Sequence, residues 1–180
     1  MHRMNRREAV KTTGVLLSGV LITSTGLTAC KGERRNIGSG VLSAEDQALV
    51  EEIADTLLPT TPDSPGAKAA RVGPVINLLL TDCREPAEQR RVVDGLKQFR
   101  STVGDHFASM SQTNRENWLR RIDADAKAAK GEHYFTTLRE LSLQAYFSSE
   151  IGATKALRYI MTPGKWVGCV PLQPGQRAWA

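Results

Sequence analysis

The stretch SAEDQALVEEIADTLLP, residues 43–59, decides the fold class. Ser43 stands before two acids, Glu45 and Asp46. That arrangement supplies a side-chain oxygen for the unpaired N–H groups of a helix start and negative charge for the positive end of its dipole. Leu49, Val50, Ile53, Leu57 and Leu58 then recur at the 3.6-residue period, so they share one helix face. Pro59 ends the run, because proline has no N–H to donate and its ring clashes with the preceding turn. A helix with one apolar stripe needs a partner, and the residues that follow offer several.

Pro59, Pro62 and Pro65 with Gly66 and Gly73 make residues 59–73 a loop. Pro74 suits the first turn of a second helix bearing Val75, Ile76, Leu78, Leu79 and Leu80. A third is expected from Pro86, with Val92, Val93, Leu96, Phe99 and Val103 apolar. The spacing of Thr113 and Glu116 predicts a capping box for a fourth, carrying Trp118, Leu119 and Ile122. A fifth is expected from about Glu132, with Phe135, Leu138, Leu141, Ala145 and Tyr146 in register. No stretch alternates with period two. The reading is all-α: a single helical-bundle domain of about five helices over residues 43–180.

The last 22 residues, YIMTPGKWVGCVPLQPGQRAWA (159–180), break the pattern with three prolines, three glycines and two tryptophans. Such a segment cannot be a helix, yet Trp166 and Trp179 are large surfaces that favour burial. It packs back on its own bundle, lies on another protein, or both.

Upstream, Arg3, Arg6, Arg7 and Lys11 precede an uncharged, moderately apolar run from Thr12 to Ala29, the layout of a secretory signal. NRREAVK (5–11) resembles a twin-arginine export signal at Arg6, Arg7 and Lys11. It departs from that pattern at Asn5, Ala9 and Val10, which leaves ordinary Sec export open. LTAC (27–30) resembles a lipobox, in which Cys30 is diacylated and becomes the new N-terminus; two acyl chains anchor stably where one does not. A spanning anchor is the competing reading, but the run is Gly/Thr-diluted and barely reaches the roughly 20 apolar residues a span needs. The expectation is a cleaved signal over 1–29, a flexible tether over 30–42, and a periplasmic, membrane-attached lipoprotein. Of the chain's net charge of +5, only about +2 falls after Ala29. The basic balance therefore belongs largely to the leader, and nucleic acid is not an expected partner.

Little in the mature chain suggests chemistry. His106 and His133 sit at expected helix ends, where polar residues are usually solvated. There is no HExxH, GxSxG, P-loop or CxxCH, so neither a catalytic site, a metal site nor a cofactor site is expected in this chain. Glu150, before Ile151-Gly152-Ala153, is placed to brace a turn or an interface. In an exported protein Cys83 and Cys169 suggest a disulfide stapling the tail to the bundle. Two buried free thiols, or a bridge from Cys169 to a partner chain, are the alternatives.

Two runs carry a family resemblance: IADTLLPTTPDSPGAKAARVGPVINLLL (53–80) and YFSSEIGATKALRYIMTPGKWVGCV (146–170). Their order and spacing resemble the gluconate 2-dehydrogenase subunit 3 family, the small subunits of membrane-associated sugar and polyol dehydrogenases. The resemblance covers nearly the whole mature chain, and the twin-arginine leader is shared; the lipobox is less typical. It implies a non-catalytic accessory role beside a large FAD-containing subunit of the glucose–methanol–choline type, often with a cytochrome c subunit as electron acceptor. The small subunit would bind the large one in the cytoplasm and carry it, folded, through the Tat pore. The surface implied includes Pro59, Pro62 and Pro65 of the loop and Glu150, Gly152, Tyr159 and Trp166 of the closing segment. The alternative is a free-standing periplasmic lipoprotein, acting as a ligand-binding module or as an enzyme that uses His106 or Glu150.

Overall fold

The computed structural model describes residues 40–104, 106–129, 133–162, 164–165 and 167–179. Five α-helices make the bundle: α1 (Ala44–Leu57), α2 (Val72–Cys83), α3 (Pro86–Val103), α4 (Gln112–Ala128) and α5 (Tyr134–Phe147). A 3-10 turn, Phe107–Ser109, joins α3 to α4, and a π-helical turn, Gly152–Ala156, follows α5. There is no strand among the described residues, only two isolated bridges, Thr61 with Ser64 and Arg158 with Trp179.

Helix α1 starts as its sequence predicts. The Ser43 hydroxyl accepts from the Asp46 N–H at 3.1 Å, and the Asp46 carboxylate accepts from the Ser43 N–H at 3.3 Å, a reciprocal capping box. Val50 and Ile53 are fully buried from that helix, each contributing roughly 1.5–3 kcal/mol of apolar transfer. Two other starts differ from expectation. Helix α2 begins at Val72, two residues before Pro74, because Arg71 takes a left-handed conformation (φ 50°) that turns the chain early. Pro74 then occupies the third position, where its missing N–H has no intrahelical acceptor anyway. Helix α4 is capped by Ser111, whose hydroxyl accepts from Asn114 N–H, and not by the Thr113–Glu116 pair. Thr113 already lies inside the first turn, and Glu116 accepts from Gln112 instead.

Helix α5 packs against each of the other four helices, and eight of its fourteen residues are buried. Its apolar set Phe135, Leu138, Leu141, Ala145 and Tyr146 meets Ile53 and Val50 of α1, Ile76 and Leu80 of α2, Leu96 and Phe99 of α3 and Leu119 of α4 in one core. Buried polar side chains are mostly answered: Ser142 donates to the Leu138 carbonyl at 2.7 Å and Thr137 to Glu88 at 2.7 Å. Asn77 accepts from Leu42 N–H at 3.0 Å, and Thr81 from Val41 N–H at 3.1 Å. These two bonds fasten the chain onto α2 just before the bundle begins. No described helix is long and apolar enough to cross a membrane.

The expected staple between Cys83 and Cys169 is not formed: both thiols are free, and both are exposed rather than buried. Cys83 ends α2, whereas the tail is tied to the loop at the opposite end of that helix, where Arg177 donates to the Asp63 carbonyl at 3.3 Å.

Candidate partner-binding surface

The loop between α1 and α2 is held closed by its own backbone and by α5. Thr61 and Ser64 exchange backbone bonds, Ala67 N–H donates to the Leu58 carbonyl at 2.9 Å, and Gly66 N–H donates to Thr60 Oγ1 at 2.9 Å. Lys68 N–H donates to Asp55 Oδ1 at 3.1 Å. From beneath, the nearly buried Tyr146 donates its hydroxyl to the Pro65 carbonyl at 2.5 Å and lies 2.7 Å from Ser64 Oγ. Pro59 and Pro62 are left exposed and Pro65 half-buried. The proline-rich loop is therefore a shaped surface seated on the end of the central helix.

The same helix end organises the segment that follows. Ser149 donates its hydroxyl to the Tyr146 carbonyl at 2.6 Å and accepts from Gly152 N–H at 3.0 Å. Gly152 is buried so tightly against the last turn of α5 that a Cβ would overlap the Tyr146 carbonyl oxygen. The side chain bracing this turn is thus Ser149. Glu150 is exposed, its carboxylate has no partner among the described residues, and only its carbonyl is used, accepting from Thr154 Oγ1 at 2.6 Å.

Beyond Leu157 the chain makes an irregular excursion and returns. Arg158 N–H donates to the Ala178 carbonyl at 2.7 Å, and the Arg158 guanidinium stacks 4.2 Å over the Trp179 ring. Pro174-Gly175 forms a tight turn closed by Gln176 N–H to the Gln173 carbonyl at 3.0 Å, with Gly175 at φ 71° as a type II turn requires. Between these ties Tyr159, Ile160, Met161, Val167, Val170 and Leu172 stand in solvent, Met161 and Leu172 at 82% exposure.

The loop and the closing segment, expected to share a surface, are joined through Tyr146 and Arg177. Tyr159 lies on that surface, half-exposed; Trp166 lies outside the described residues, as do Arg6, Arg7, Lys11 and Cys30. Sequence reading named the prolines and the closing segment but not the roles of Tyr146, which holds Pro65, Ser149, which braces Gly152, and Arg158, which stacks on Trp179. Tyr146 had the apolar signal of a core residue and no signal for the use of its hydroxyl.

Among the described residues neither histidine is hydrogen-bonded to a carboxylate; Asp105 and Glu132, their sequence neighbours, lie outside the described residues. His133 caps α5, its Nδ1 accepting from Phe135 N–H at 3.2 Å, and burial holds its pKa below the ordinary histidine value. The hydroxyl of its neighbour Tyr134 is pushed up to about 12 by burial, so it stays protonated. His106 is exposed beside the 3-10 turn. Glu52 carries Lys68 and Arg115 (3.1 Å), and the bond to Glu52 raises the Lys68 pKa. Asp123 carries Arg139 and Lys127 (2.7 Å), and the bond from Lys127 lowers the Asp123 pKa. These are partly exposed pairs of modest worth. Among the described residues no three His, Cys, Asp or Glu side chains converge as a metal site would need.

Neither curated proteins nor solved structures give a match to the chain. One family model, described as gluconate 2-dehydrogenase subunit 3, matches residues 44–164, from the first residue of α1 to beyond the π turn. That span takes in the whole bundle, the proline-rich loop and the braced Gly152 turn, and the chain belongs to the gluconate 2-dehydrogenase subunit 3 family.

Proposed function

We propose that this chain is the non-catalytic subunit that binds an FAD-dependent sugar or polyol dehydrogenase of the glucose–methanol–choline type, escorts it through the Tat pathway and anchors it at the membrane. Family membership carries the reading: the family is named for a subunit of a dehydrogenase complex, which implies a dehydrogenase partner. The apolar side chains exposed beyond Leu157, on a surface held in shape by Tyr146, Ser149 and Arg158, support it, because exposed apolar clusters mark interaction sites. The leader supplies the address at Arg6 and Arg7, and Cys30 the mooring. FAD belongs to the partner, and a cytochrome c subunit takes its electrons.

Co-expression with an FAD-containing dehydrogenase subunit of that type tests the reading. Dehydrogenase activity should appear in the membrane fraction with the wild-type chain and leave it when Arg6 and Arg7 are replaced by Lys. A flavoprotein that reaches the periplasm and oxidises its substrate equally well without this chain would refute the escort role.

A further inference from the structure

The chain's charge is divided along its length. Residues 43–150 carry 17 acids against 13 bases, and Glu150 is the last acid of all. Residues 151–180 hold Lys155, Arg158, Lys165 and Arg177 and no acid. The bundle is therefore net negative and the closing segment purely basic, and this segment is also where the large apolar side chains are most exposed.

It is a shaped element as well. Arg158 and Trp179 tie its two ends together, Arg177 joins it to the Asp63 carbonyl of the proline-rich loop, and the Pro174-Gly175 turn folds it back on itself. A segment tied in this way loses less conformational entropy on binding than a free tail does.

We infer that the closing segment, residues 155–179, is the element that docks the catalytic subunit, fitting an apolar surface rimmed by carboxylates. The inference rests on the escort reading above and specifies which face is used and what chemistry receives it. Charge complementarity points to the rim: bases without a single acid gain nothing beside a basic surface and are steered quickly to an acidic one. An anionic lipid surface would attract the same charges, but the backbone here is irregular. Irregular backbone of this kind can pair its N–H and C=O groups at a protein surface but not in hydrocarbon.

The test uses the full mature chain and the FAD-containing catalytic subunit, with association and dissociation rates followed against salt. K155E/K165E should slow association about tenfold or more at low ionic strength and flatten its salt dependence. M161S/L172S should weaken binding at least about tenfold, mainly through faster dissociation. All four side chains are exposed, so an unchanged melting temperature shows that the bundle is intact. Both variants binding like the wild type would overturn the inference while leaving the escort reading in place. A wild-type chain that binds no catalytic subunit would remove both. Two controls identify another occupant: phosphatidylglycerol vesicles, and sedimentation of the chain alone. If the variants lose vesicle binding or self-association while keeping the wild-type affinity for the catalytic subunit, the segment serves lipid or a second copy instead.

Discussion

A methyl group at Gly152 would collide with the Tyr146 carbonyl oxygen and crowd the Phe147 backbone, and neither neighbour is a flexible side-chain tip that could give way. Gly152→Ala should therefore cost about 2 kcal/mol or more in urea unfolding, as overpacking of a tight site does; a loss under about 0.5 kcal/mol would show that the turn relaxes freely. His133 gives a prediction in pH. Its imidazole is partly desolvated and its Nδ1 accepts the capping bond, so the fold prefers the neutral ring. Its folded pKa lies below the unfolded value, close to 6.5, and the unfolded chain binds the extra proton first. Stability from this cap is full above that value and is lost as pH falls from it through the lower folded pKa. His133→Asn keeps a capping acceptor without a titrating group, so its melting temperature should fall less between pH 7.5 and 5.5 than the wild type's. Equal slopes would remove His133 from the account. Both residues were visible in the sequence, but only as a glycine after a helix and a histidine before one.

Among the elements, α1 was the most legible, since Ser43, the acids after it, the apolar period and Pro59 all point the same way. The starts of α2 and α4 were less so. The left-handed turn at Arg71 and the choice of Ser111 over Thr113 depend on where the chain must go to reach its neighbours, which local pattern does not encode. The proline-rich loop belongs at this scale too. Its composition announced a loop, but its shape comes from a residue about 80 positions away, through the Tyr146 hydroxyl. Tyr146→Phe keeps the buried ring and removes the bonds to Pro65 and Ser64. It should cost about 1 kcal/mol overall and speed amide exchange within residues 59–71 well beyond that in α3. Uniform acceleration in both segments would mean the loop is held by other means.

For the molecule as a whole, the bundle and the closing segment answer to different requirements. The core lies within the five helices and their joints, and the residues from Tyr159 onward contribute mostly exposed surface. Truncation after Leu157 should lower unfolding stability by less than about 1 kcal/mol, and on the proposed reading should abolish capture of the catalytic subunit. A large loss of stability would show instead that the segment completes the fold. Exposure of both Cys83 and Cys169 agrees with this division, since no covalent staple joins tail to bundle. The amino-acid order by itself determined the all-α class, the five helices, most of their buried positions (though Val75 and Leu78 of α2 stand exposed) and the family, because each rests on local periodicity, caps and breakers or on motifs in fixed order. Only the tertiary structure decided that α5 is the central helix, that Tyr146 and Ser149 shape the candidate surface in place of Glu150, and that Arg158 closes the tail on Trp179. Those outcomes depend on which distant groups meet once the core has closed, and side chains far apart in sequence reveal their pairing only when packing has brought them together.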